Sequence, residues 1–120
     1  MLGIVDAAQV LADLTDISPQ IRSVVVVDGE GAVVGSNADS AAAAGLAAAG
    51  LRLADEADAV RGGRVSQLEA ATGAGSVFVV RDGGRTIIAT TRPEPTVGLI
   101  FYDLKTALSS IAEEGGDGQT

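Results

Sequence analysis

The sequence predicts an α/β sandwich: a five-stranded, mainly antiparallel sheet with a long helix on one face and two terminal helices on the other. Three observations lead there. Apolar periodicities follow one another in the order helix, strand, strand, helix, strand, strand, strand, helix. Two pairs of strand-like runs are joined through Asp28-Gly29 and Asp82-Gly83, a strong short-range signal for antiparallel neighbours. Ile21–Val27 is β-branched almost throughout and apolar on both alternations after Ser23, the pattern of a central strand covered on both faces.

Taken in order, Ile4, Ala7, Ala8, Leu11 and Leu14 fall at helical spacing and predict a short amphipathic helix over about residues 3 to 15. Ser18-Pro19 interrupts it, because proline restricts the residue before it and has no amide to donate. Ile21–Val27 then turns through Asp28–Gly31 and returns as Ala32–Ser36, a hairpin.

The stretch from Asp39 to Val60 is the predicted long helix. Asp39 or Ser40 can cap its start, and Arg61-Gly62-Gly63 marks its end with a basic last turn followed by glycine. From Ala41 to Leu51 it contains only alanine, glycine and leucine. Alanine is the strongest helix former, so this composition by itself requires no more than a buried helix. The pattern carries more. Ala43, Leu46, Gly50, Leu53, Ala57 and Val60 form one apolar seam, and Ala44, Ala47, Ala48, Leu51 and Ala54 form a second, displaced around the helix. Two seams imply two neighbours. The sheet is one, and the same helix of a second copy, approached closely over small residues, is the expected other.

Val65–Ala71 is less apolar than the other strands, with Gln67 and Glu69 on one alternation and Leu68 on the other, and reads as an edge strand open to pairing. Thr72–Gly75 is a loop, and Ser76–Arg81 and Arg85–Arg92 make the second hairpin. Pro93-Glu94-Pro95 ends that strand and Thr96 can cap a last helix, whose stripe is Val97, Ile100, Phe101, Leu104, Ala107, Leu108 and Ile111. Residues 1–112 are expected to form one domain, and the polar, glycine-rich residues 113–120 a disordered tail.

This order resembles the roadblock/dynein light chain family, in its bacterial GTPase-regulator type. The matching segments are the hairpin SVVVVDGEGAVVGSN, the alanine-rich helix directly after it, the strand–loop–strand block ending RTIIATTR, and PEPTVGLIFYDLKTAL with Gly98-Leu99-Ile100 opening the final helix. The resemblance spans about residues 3 to 112. It implies a profilin-like sandwich that dimerises through antiparallel long helices and pairing of the strand after them, and a role in regulating or scaffolding small Ras-like GTPases. On that reading the dimer interface is expected at Ala43, Leu46, Ala47, Gly50, Leu53, Ala57, Val65 and Leu68, and a possible partner surface at Arg52, Asp55 and Glu56. The alternative is a structural scaffold subunit without a nucleotide-dependent partner.

Composition bounds the function from the other side. With 8 basic against 16 acidic residues the net charge is −8, which disfavours nucleic acid and anionic membrane surfaces as partners. Neither histidine nor cysteine occurs, which removes the common general base, the thiolate nucleophile and the usual zinc ligands. Lys105 is the only lysine and no GxxxxGK[ST] run occurs, so no Walker A phosphate loop is present. Gly29-Glu30-Gly31 and Gly73-Ala74-Gly75 read as turns rather than phosphate cradles. Asp55, Glu56 and Asp58 lack a turn to gather oxygen ligands around a metal and read as a solvated helix face. The expectation is a cytoplasmic, non-catalytic homodimer with no cofactor, no metal and no membrane insertion, working through protein contacts.

Overall fold

A computed structural model describes residues 7–117. The expectations placed on Ile4 and its neighbours in residues 1–6, and on residues 118–120, lie outside the described residues. The elements run α1 (Ala7–Ile17), β1 (Ile21–Val27), β2 (Val33–Ser36), α2 (Ser40–Arg61), β3 (Gln67–Thr72), β4 (Gly75–Asp82), β5 (Arg85–Thr91) and α3 (Val97–Asp117). The sheet order is β2-β1-β5-β4-β3, and every neighbouring pair is antiparallel.

The alternation of strand residues sorts them into two cores. Val24, Val26, Phe78, Val80, Ile87 and Ala89 point to one face, where Leu11 and Leu14 of α1 and Ile100, Leu104, Leu108 and Ile111 of α3 cover them. Val25, Val27, Val79 and Ile88 point to the other face and meet Ala43, Ala47 and Ala54 of α2. The unbroken valines of β1 are thus buried because each alternation has its own helical layer. Phe78 and Phe101 add an edge-to-face pair in the first core, with ring centroids 5.0 Å apart. The expected sandwich, with the long helix on one face and the terminal helices on the other, is the architecture found.

Element ends follow local chemistry. Asp39 caps α2, its Oδ1 accepting from the Ala42 N–H at 2.9 Å. Gly62, at φ 70°, closes the helix and donates its N–H to the Asp58 carbonyl. β2 starts at Val33 rather than Ala32 because Asp28 Oδ1 accepts from the Ala32 N–H at 3.0 Å and holds that amide in the turn. Beyond Ser36 the Asn37 side chain continues the β1 ladder, accepting from the Val24 N–H at 2.8 Å and donating to the Arg22 carbonyl at 3.1 Å. β4 opens on Gly75 at φ 140°, where a Cβ would lie 2.0 Å from the Thr91 carbonyl oxygen, so only glycine fits. α3 continues to Asp117, into the stretch expected to be a tail. Extending an existing helix needs no new nucleus, and Ala112, Glu113 and Glu114 are good helix formers.

Candidate interaction surface

α2 is the element on which the expected interface depends. Ala43, Ala47, Gly50 and Ala54 are buried, at spacings of four, three and four that put them on one helical face. That face lies on the sheet. At Gly50 an added Cβ would meet the Ile88 side chain at 2.6 Å, so the helix backbone rides directly over β5. Ala43, Ala47 and Gly50 were expected in the contact with a second copy; the structure places them in the chain's own core instead. The physical reason is that small residues serve close approach to a sheet as well as to a helix, and the residues facing them here are the bulky Val25, Val27, Val79 and Ile88.

Leu46, Leu51 and Leu53 pack partly against this core and are half-buried, as is Ala57. The outward side reads Ala41, Ala42, Ala44, Gly45, Ala48 and Ala49, all exposed, and no atom lies within 4 Å of a Cβ added at Gly45. Charge begins only at Arg52, followed by Asp55 and Glu56, all three exposed. Arg52 and Asp55 do not pair. Among the described residues the one ion pair is Arg81–Asp58.

That pair holds the end of α2 to the sheet. Arg81 is almost wholly buried, with 7 % of its side chain exposed, and donates to Asp58 through Nη1 at 3.0 Å and through Nη2. Its Nε donates to the Val65 carbonyl at 2.8 Å, while Asp58 Oδ1 also accepts from the Val65 N–H at 2.7 Å. The Arg81 hydrogen bonds, and after them the Val65 amide, keep the Asp58 carboxyl below the usual carboxylate range. Val65 was expected to open the edge strand. Because its N–H and carbonyl are both taken by this latch, pairing begins two residues later, at Gln67. The sequence signal was slight: an arginine ending the apolar run of β4 and an acid one turn before the glycines.

No protein-family model matches the chain, and the search of curated proteins returns no match. Solved structures do match over nearly their whole length. The Roadblock/LC7 domain from Streptomyces avermitilis is 20% identical, covers 91% of this chain and 97% of its own, and superposes with a TM-score of 0.80. The gliding protein MglB from Thermus thermophilus is 15% identical, covers 98% and 93%, and gives 0.78. This is a roadblock fold. Profilin IB from Acanthamoeba castellanii, at 16% identity with 91% and 98% covered, gives 0.59, consistent with the profilin-like arrangement of the layers.

Within the roadblock fold, β3 is an edge of the sheet, with Leu68 turned towards the α2 core and the outer backbone side of the strand unpaired among the described residues. The Gly-x-Gly sequences both lie at turns, Gly29–Gly31 after β1 and Gly73-Ala74 between β3 and β4, with Gly75 opening β4. Lys105 is exposed on α3. Among the described residues no three acidic, histidine or cysteine side chains gather as metal ligands would, and no helix is long and apolar enough to cross a membrane.

Proposed function

We propose that this chain is a non-catalytic, self-associating regulator or adaptor of a small Ras-like GTPase, acting in the cytoplasm. The observation that carries the reading is the outward side of α2. Through residues 41–49 it is exposed alanine and glycine without a charge, beside an open sheet edge at β3. An uncharged surface of small side chains lets a second helix approach closely, and a free edge lets a second sheet continue the first. The self-association surface is therefore drawn through Ala44, Gly45, Ala48 and Ala49, flanked by Leu46, Leu53, Ala57 and Leu68. Arg52, Asp55 and Glu56 continue the same side and supply its polar contacts with a partner.

Support for self-association also comes from the fold neighbours, one of which is an MglB "with tetrameric arrangement". The GTPase partner rests on the roadblock resemblance and not on a catalytic motif of this chain. The experiment is affinity capture of the native protein with its bound partners identified. Recovery of a small GTPase supports the reading. Recovery of a stable assembly containing no nucleotide-binding protein leaves the scaffold alternative in its place.

A further inference from the structure

The face of the sandwich opposite α2 carries a groove that no described residue fills. It lies between α1 and α3, has a volume of about 260 Å³, and is lined by Val10, Leu14 and Ile17 on one side and by Tyr102, Thr106 and Ala107 on the other. Ile17 is 72 % exposed and Tyr102 66 %, a large apolar surface left to water on so small a domain. Leu99, one turn before Tyr102, extends the exposed apolar surface along α3.

The polar groups of the groove fall into two kinds. Thr106 Oγ1 donates to the Tyr102 carbonyl at 2.9 Å, and Ser110 Oγ to the Thr106 carbonyl at 3.1 Å, so both hydroxyls are bound within their own helix. The charged groups are Asp13 and Asp103, and no lysine or arginine lines the groove. Among the described residues Asp13 accepts from the neutral Gln9 amide, at 3.0 Å, and neither Asp13 nor Asp103 has an ion-pair partner. Lys105 is two residues on, about 200° around the helix, and lines a different hollow with Ser66 and Gln67.

We propose that this groove docks an amphipathic helix from a partner protein, one whose apolar stripe is bordered by lysine or arginine. Two helices side by side leave a trough of the width a third helix fills. An apolar floor with only negative charges around it selects for basic flanks and against acidic ones. A second copy of this chain does not supply such a helix. α1 has no basic residue, α3 has only Lys105, and Arg52 and Arg61 of α2 stand more than two turns apart. The same carboxylates disfavour an anionic membrane surface. The groove lies on the opposite side of the sheet from the proposed self-association surface, so the two are independent.

Tyr102 makes the test direct. It is the only tyrosine and the chain has no tryptophan, so ultraviolet emission reports on the groove. The full chain is titrated with two synthetic helical peptides of about 18 residues, free of tyrosine and tryptophan. They share one leucine stripe and are flanked either by lysine or by glutamate. The expected result is a change in Tyr102 emission saturating at micromolar lysine peptide, with the glutamate peptide binding at least about tenfold more weakly. Ile17→Ser, and the double variant Asp13→Asn with Asp103→Asn, should each weaken the lysine peptide about tenfold or more without changing the circular dichroism. Binding of neither peptide, equal binding of both, or an affinity unmoved by both variants overturns the proposal. So does an oligomer in sedimentation that Ile17→Ser dissolves, since the occupant is then a second copy.

Discussion

Gly50 of α2 lies directly over Ile88 of β5, so close that a Cβ at position 50 would stand 2.6 Å from the isoleucine side chain. The contact sets how near the long helix sits to the sheet. It also gives two glycines of one helix opposite expected behaviour. Alanine exceeds glycine in helix propensity by about 1 kcal/mol, while forcing an extra carbon into a packed core costs about 1–3 kcal/mol. At Gly50 the second effect wins, and Gly50→Ala should lower stability by up to about 2 kcal/mol. At Gly45, with open space around its Cβ, Gly45→Ala should raise it by about 1 kcal/mol. Urea unfolding measures both, and Ile88→Val should recover part of the Gly50→Ala loss.

The Asp58–Arg81 latch predicts a pH dependence. The Asp58 pKa is lowered in the folded chain by Arg81 and the Val65 amide, below its unfolded value of about 3.9. The stability it contributes is therefore complete above the unfolded pKa and is lost as pH falls through the folded one. Asp58→Asn should be less stable than the parent at neutral pH, and the gap should close as the solution becomes strongly acid. In the same variant the Val65 amide, which donates to Asp58, should lose its protection from hydrogen exchange before the amides of β5 do.

On the outward side of α2, Ala48→Glu should leave the fold intact and abolish self-association. Ala48 is exposed in the single chain, so the glutamate remains solvated until a second helix arrives, when burying its unpaired charge becomes prohibitive. Sedimentation should show a dimer for the parent and a monomer near 11.9 kDa for the variant. Glu56→Ala, at an exposed position further along the same side, should change stability by less than about 0.5 kcal/mol.

The layers of this fold were legible because β-branched runs, Asp-Gly turns and helical stripes all describe local backbone preference, and these agree with the burial observed. The valines of β1 announced two covered faces, and both are covered. What periodicity could not assign was the partner of each seam on α2. Ala43 and Ala44 are equally apolar in sequence, yet one is buried on the sheet and the other is exposed. Alanine and glycine carry too little side chain to bias that choice; the rotation of the helix is set by Ile88 and the valines beneath it. Long-range polar contacts left little more trace. Nothing in the spacing of Asp58 and Arg81, or of Asn37 and Val24, marks them as partners, since each contact exists only once the strands are in register. The groove at Ile17 and Tyr102 was hidden because the stripe of α3 reads as core throughout, and Tyr102 sits at its margin.

The isolated chain should neither bind nor hydrolyse nucleotide. It has neither histidine nor cysteine, and its one lysine is exposed on α3 and belongs to no Walker A run. Calorimetry with GTP and with GDP should give no heat of binding at micromolar protein. Micromolar affinity for either nucleotide would reveal a site beyond the surfaces described above.

The most direct measurement of the regulator reading is a titration of the purified protein against the small GTPase captured with it. The GTPase is loaded in turn with GDP and with a non-hydrolysable GTP analogue. Switch segments of such enzymes reorder with the γ-phosphate, so a regulator that touches them distinguishes the two states. The predicted affinities differ by about tenfold or more, a coupling of about 1.4 kcal/mol. That preference should be lost in a variant carrying Arg52→Ala and Glu56→Ala. Equal affinity of the parent protein for both nucleotide states would contradict the regulator reading.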